Sequence, residues 1–337
     1  MRRRDFLKGA VGLGAAAAIG KLLGRLPEGL AAEGEAVSGG NTPILPRRPY
    51  GKTGRKLSII GFGGVVVMNA EQARANRVVA EAVEKGVNYF DVAPSYGDAE
   101  LKLGPALQPH RKKVFLACKT AHRKREAAEA ELKSSLERLR TDHLDLYQLH
   151  AISDVKKDVD AAFAKGGAME AFLAAKKAGV VRHLGFSAHT EAAALAALDR
   201  YDFDSVLFPI NFACFHAGNF GPRVIARTQA KNVALLALKA LAREPWPKPE
   251  PPERKKFAKC WYRPLTDPRE VELGLRFTLS RPVTAAVTPG AESLFRMAVE
   301  IGMNFKPLTP AEEQQVKTWA AKVTPIFKHE DQAKPVT

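Results

Sequence analysis

The stretch NYFDVAPSYGDAE runs from Asn88 to Glu100. Its first half is β-friendly, with Tyr89, Phe90 and Val92. The run breaks at Ala93-Pro94, because proline fixes its own φ and removes a backbone donor. An acid, Asp91, therefore stands at the end of an apolar strand, and a phenol, Tyr96, follows just past the break beside Gly97. A carboxylate at the end of a buried strand is costly unless something pairs with it. The stretch thus asks what else the fold brings to that end of the sheet.

Outward from it the same unit repeats. Short apolar runs alternate with helix-like segments from Leu57 onward. The runs are LSIIGFGG, VNYFDVAP, KVFLACKT, LDLYQLH, VRHLGFSAH, SVLFPINFA, NVALLALKAL and VTAAVTPG. Between them, segments such as EQARANRVVAEAVEKG, REAAEAELKSSLERLR, AMEAFLAAKKAG and EAAALAALDRY space apolar residues at three- and four-residue intervals, the signature of one buried helix face. Gly86 and Gly179 stop two of these helices. Near-continuous apolar strands suit a parallel sheet covered on both sides. Strict β-α alternation through eight strands predicts an α/β fold of the closed (β/α)8 barrel type, a TIM barrel. The alternative, an open doubly wound sheet, usually shows GxGxxG after its first strand, and GFGGVVVM misses that spacing. One connection is irregular: AREPWPKPEPPERKKFAKCWYRPLTDP is dense in Pro and Lys and reads as a long functional loop, with Trp246, Trp261 and Tyr262 expected to line a pocket. A last helix is predicted in TPAEEQQVKTWAAKVTPIF.

In such a barrel the chemistry sits at the C-terminal strand ends. Asp91 ends the second strand and Tyr96 follows it; Lys119 ends the third, in FLACKT; His150 ends the fourth, in DLYQLH. These are neighbouring strands, so the four side chains can converge. A phenol titrates near 10, and an adjacent ammonium favours its ionised form. Lys119 can supply that charge, Asp91 can hold the lysine, and His150 can hydrogen-bond a carbonyl oxygen. The set is a proton donor suited to a carbonyl whose carbon is receiving hydride. Taken singly, each residue has a structural reading: a helix cap, a packing ring, a solvated strand end, a satisfied core histidine. All four structural readings together, in this order, form a poor account.

FDVAPSYG, ACKT and QLH together resemble the aldo-keto reductases, over about Leu57 to Ile301. The resemblance implies a (β/α)8 barrel, an Asp-Tyr-Lys-His catalytic tetrad at Asp91, Tyr96, Lys119 and His150, and reversible reduction of aldehydes or ketones with a nicotinamide cofactor held without a Rossmann domain. It also implies cofactor-binding residues. LGFSAHT nominates Ser187 and FPINFA nominates Asn211 for the nicotinamide amide, and Gly63 ends the first strand beside them. Leu238 stands where the family places a stacking tyrosine, and Lys239 next to it could reach the pyrophosphate. In VTPGAESLFRMAVE, Gly290 and Ala291 replace the Lys and Ser common in families that bind a 2′-phosphate, while Arg296 keeps its place and Glu300 replaces a common Asn. NADP is therefore the expected cofactor and NAD the alternative. The competing accounts are a barrel that binds nicotinamide nucleotide as a sensor without catalysis, and a binding or scaffold protein that shares only the barrel.

The N-terminus reads separately. Three arginines precede a Gly/Ala-rich apolar run interrupted by Lys21, too short and weakly apolar for a membrane span. Arg3-Arg4-Asp5-Phe6-Leu7-Lys8 resembles the twin-arginine export motif, which implies translocation of the folded protein by the twin-arginine translocase and a periplasmic or otherwise exported location. Residues 1–36 are read as signal peptide and linker, with cleavage after Ala32 or Ala36, and residues 37–337 as the barrel with its C-terminal helix. No stable membrane association is expected unless the signal stays attached. The chain has 337 residues and a formal net charge of +16; removing residues 1–32 deletes six bases and two acids and leaves +12. The remaining bases are dispersed, and no helix-turn-helix, zinc finger or aromatic RNA platform accompanies them, so no nucleic-acid partner is expected. Cys118, Cys214 and Cys260 lack CxxC spacing, so neither a disulfide framework nor a metal site is expected. Arg3→Lys combined with Arg4→Lys is expected to leave the protein in the cytoplasm, and cell fractionation of that double variant reads the outcome.

Overall fold

The computed structural model describes residues 44–329, so the segment read as an export signal and its expected cleavage positions lie outside the described residues. The eight expected strands are present: β1 (Ile60–Gly63), β2 (Tyr89–Asp91), β3 (Phe115–Thr120), β4 (Leu144–Ile152), β5 (Val181–Ala188), β6 (Ser205–Pro209), β7 (Ala234–Leu238) and β8 (Ala285–Val287). They close into a barrel in sequence order, with β8 paired to β1 and every neighbouring pair parallel. The four quoted helical segments form helices at Gln72–Glu84, Arg125–Arg138, Ala168–Lys177 and Glu191–Arg200.

The period of two along each strand sorts the side chains. Phe90, Leu116, Cys118 and Tyr147 point outward and pack in the large core under the helices. Tyr89, Phe115, Ala117, Leu146, Leu207, Leu236, Ala285 and Val287 fill the barrel interior. Two residues further along the same inward rows come Asp91, Lys119 and Gln148, all buried. The interior therefore changes from apolar to polar toward its C-terminal end. Gly61 on β1 allows this packing, because a Cβ there would sit 2.6 Å from the Tyr89 ring.

A hairpin of Arg47–Pro49 with Lys56–Ser58, not expected from the sequence, closes the opposite end. Its turn drives Tyr50 into the barrel floor, where the ring meets Phe115 edge-on at 5.0 Å and the hydroxyl donates to Ser205 Oγ at 2.8 Å. Tyr50 is fully buried in this position.

The proline-rich connection is more ordered than a loop. Ala242–Pro245 pairs antiparallel with Tyr262–Pro264, with a short 3-10 turn at Pro252–Phe257 between them. Trp246 is buried and its Nε1 donates to the Cys260 carbonyl at 3.0 Å. It braces this hairpin and does not line the pocket, which corrects the sequence reading; Trp261 and Tyr262 do line it. The last helix, Pro310–Ala320, starts with a capping box between Thr309 and Glu312. Beyond it the chain returns over the C-terminal end of the barrel. The His329 amide donates to the Gly218 carbonyl there, and Phe327 stacks on Phe220 and His189.

Candidate active site

Four side chains nominated from the sequence meet at the C-terminal end of β2, β3 and β4. Lys119 Nζ forms a buried ion pair with Asp91 Oδ1 and also donates to the Val92 carbonyl at 3.3 Å. The same nitrogen lies 3.4 Å from the Tyr96 hydroxyl. Tyr96 and His150 meet edge-to-face with ring centroids 5.8 Å apart, and Ser95 Oγ lies 3.5 Å from His150 Nδ1. Arg123 Nη2 donates to the His150 carbonyl at 2.7 Å and fixes that strand end.

Asp91 has further partners that the sequence reading missed. Tyr89 donates its hydroxyl to Asp91 Oδ2 at 3.1 Å, and Gln148 donates Nε2 to the same oxygen at 3.0 Å. Both were readable in principle, because Tyr89 lies two residues before Asp91, and Gln148 two before His150, on the same inward rows. A buried carboxylate with three donors is compatible with an apolar barrel, whereas a lone one is not.

The protonation states follow from burial and charge. For Lys119, burial acts to lower the pKa, but the Asp91 carboxylate outweighs it and holds the ammonium above the ordinary lysine range. For Tyr96, burial pushes the phenol up and outweighs the downward pull of Lys119, so the net direction is upward. This reverses the expected lowering. The lysine charge is largely answered by Asp91, and desolvation of the ring remains. His150 is pushed down to about 3, by burial first and then by the Lys119 charge, so its imidazole is neutral.

Asp91 and Tyr96 line a cavity of about 320 Å³, together with Gly63, Gly290, Lys239 and the aromatic pair Trp261 and Tyr262. The nominated cofactor residues divide. Gly63, Lys239 and Gly290 are on the cavity wall. Gly63 and Gly290 are both close-approach positions: a Cβ on Gly63 would meet the Thr288 carbonyl at 2.5 Å, and one on Gly290 would meet Val65 at 2.5 Å. Ser187 and Asn211 are buried behind the wall. Ser187 Oγ accepts from the Ala151 amide at 2.7 Å, and Asn211 Oδ1 accepts from the Cys214 amide at 2.9 Å, capping a short helix. Asn211 Nδ2 is buried without a hydrogen-bond partner. Arg296 is off the wall, held in an ion pair with Glu81 and in a second with Glu292 at 3.2 Å. Beside the cavity runs a groove of about 460 Å³ that shares Met68, Lys259 and Gly290 with it and carries Arg74, Lys255 and Lys256. The place of this lysine-rich turn in the groove is visible only in three dimensions.

A sequence model described as the Aldo/keto reductase family matches residues 60–257, more than half of the chain, and the chain belongs to that family. Among curated proteins it is 32% identical over 157 residues to the "Uncharacterized oxidoreductase YqkF" of Bacillus subtilis (strain 168), covering 42% of this chain and 49% of that one. It is 35% identical over 120 residues to an L-galactose dehydrogenase of Arabidopsis thaliana, covering 31% and 38%. The matches to these relatives thus span about half of their length or less. Among solved structures, the holo form of aldo-keto reductase AKR11C1 from Bacillus halodurans superposes with a TM-score of 0.66 at 24% identity, over 86% of this chain and 100% of that one, which supports the barrel fold.

The buried pair makes a stability prediction. Lys119→Met leaves Asp91 as an uncompensated buried charge and is expected to cost about 3–5 kcal/mol. Adding Asp91→Leu removes the orphaned charge and is expected to restore most of the loss. Urea unfolding of the two variants measures both. A double variant no more stable than the single would mean the lysine contributes through packing alone.

Proposed function

We propose that the protein is an exported NAD(P)-dependent oxidoreductase that reduces aldehydes or ketones, or oxidises the corresponding alcohols, with Tyr96 as general acid. The observation that carries this reading is the Tyr96 hydroxyl, 3.4 Å from the buried Lys119 ammonium at the wall of the cavity. Burial keeps the phenol protonated at neutral pH, so it has a proton to give. The nearby ammonium favours the phenolate left behind once the proton has moved. Asp91, held by Tyr89 and Gln148, keeps Lys119 in place and charged. A neutral His150 can hydrogen-bond a carbonyl oxygen without competing to protonate it. The apolar floor formed by Tyr50, Tyr89 and Phe115 fills the barrel below the Lys119–Asp91 pair.

The residues present fit a dinucleotide in its phosphate-bearing half. The groove beside the cavity offers Arg74, Lys255, Lys256 and Lys259. Its only carboxylate among the described residues, Glu292, is already paired with Arg74 and Arg296. When bound, a reduced nicotinamide supplies the hydride. NADP is preferred to NAD on the surplus of cations, with Arg296 as a candidate for the 2′-phosphate. Export rests on Arg3, Arg4, Phe6, Leu7 and Lys8.

Tyr96→Phe keeps the ring and removes only the hydroxyl, so carbonyl reduction is expected to fall about 10²- to 10⁴-fold with nucleotide affinity nearly unchanged. Steady-state turnover and nucleotide titration of this variant test the role; near-normal turnover would overturn it. Arg296→Ala is expected to weaken NADPH about tenfold and leave NADH nearly unchanged. Equal losses for both nucleotides, read by fluorescence titration, would mark Arg296 as part of the Glu81–Glu292 ion-pair network only.

A further inference from the structure

Lys239 stands just past β7 in a left-handed backbone conformation, φ 62°. Such a conformation is uncommon for a residue with a Cβ and is retained only where the surroundings fix it. The Lys239 carbonyl accepts from the Ala242 amide at 3.0 Å, which holds the turn. The side chain reaches across the end of the barrel toward the end of β5. Its Nζ lies 3.2 Å from His189 Nε2, and the rings of Phe327 and Trp261 stand 5.5 and 5.8 Å away. Among the described residues no carboxylate pairs with it. Among the described residues the only carboxylate on the cavity wall is Asp91, which Lys119 already answers.

The titratable groups near Lys239 leave its charge unanswered. His189 is neutral, pushed down to about 3 by burial and then by Lys239 itself. Cys214, on the helix after β6, is a thiol pushed up to about 11 by burial. Lys119 on β3 and His150 on β4 bring a positive and a neutral group. Burial lowers Lys239 to about 7, with Lys119 adding to the effect. An anion bound at Nζ would reverse that shift, so binding would take up a proton.

The groove cations Arg74, Lys255, Lys256 and Lys259 lie with Val66 and Gly290, near the ends of β1 and β8. Lys239 turns the other way, toward His189 at the end of β5. Phosphates in the groove therefore have their own cations, and Lys239 faces the cavity that holds the Tyr96 wall.

We propose that Lys239, oriented by His189, recognises an anionic group, a carboxylate or phosphate, on the carbonyl substrate. The substrate class is then a small oxo acid or phosphorylated carbonyl compound whose apolar part meets Leu207, Leu238 and Trp261. This rests on the reductase reading for the word substrate; the binding preference itself does not require turnover.

The test is direct binding of phenylglyoxylate and of its uncharged methyl ester to the full chain. It is run by calorimetry near pH 7 in two buffers of different ionisation enthalpy. Wild type is expected to favour the acid by about tenfold or more, with net proton uptake that the ester lacks. The preference should fade as pH rises and Lys239 loses its proton. Lys239→Met should abolish both preference and proton uptake while leaving the ester's affinity alone, and Lys239→Arg should keep the preference. No binding of the acid, no preference in wild type, or a preference that survives in Lys239→Met overturns the proposal. So does a Lys239→Met variant that loses NADPH affinity and keeps the acid's, which would assign the lysine to the cofactor pyrophosphate. Absence of turnover with any carbonyl, alongside an intact Lys239-dependent preference, would sink the reductase reading and leave the anion site standing.

Discussion

The ion pair between Lys119 and Asp91 is the constraint on which the upper half of the barrel depends. Both side chains are buried, so either charge would be costly without the other. The pair is set by register: Asp91 faces Ala117 across β2 and β3, and Lys119 follows two residues later on the same inward row. The spare lone pairs of the carboxylate are taken by Tyr89 and Gln148, from β2 and β4. Three strands are therefore tied through one carboxylate. The Tyr96 hydroxyl, in the loop that leaves β2, comes to rest against the nitrogen this network fixes. Displacing any one of the three strands would move the Tyr96 hydroxyl relative to the Lys119 nitrogen.

That network can exist only because the rest of the barrel is apolar and closed. Tyr50 on the N-terminal hairpin seals the floor, and the Tyr89 and Phe115 rings fill the layer above it. Tyr89 belongs to both layers. Its ring packs in the floor, while its hydroxyl reaches the carboxylate. A smaller residue there would open a cavity and remove a donor from Asp91 together, so stability and site geometry are coupled at this one position.

The legible and the illegible parts of the sequence differ in kind. β-α alternation is local, and so are the strand-end positions of Asp91, Lys119 and His150; a period of two places their side chains without further knowledge. Tyr89 and Gln148 were within reach of the same periodicity. Arg296 was not, because its environment is set by Glu81, 215 residues away on another helix. Trp246 was misplaced because the proline-rich segment folds as a hairpin, and proline content says little about which strands will pair there. The Tyr96 titration was misjudged in sign. Counting the lysine charge requires also counting the carboxylate that neutralises it and the water that the ring loses.

The division of the site follows the division of the chain. Asp91, Tyr96, Lys119 and His150 all fall within the residues that match the family, 60–257. Nearly half of the cavity wall does not: Lys259 to Tyr262 and Val287 to Gly290 lie beyond that match, as does Phe327, which stacks on His189 beside the Lys239 amine. Asp91 and Lys119 sit on strands held by the barrel's own hydrogen bonds, where substitution disturbs the fold, and Tyr96 follows in the loop after β2. The hairpin after β7, the loop after β8 and the returning C-terminal segment cover this end from outside the strands and can change with less cost to the barrel. Lys239 at the end of β7 lies inside the matched part, so the cavity joins residues of the barrel's strand ends to residues of these later segments.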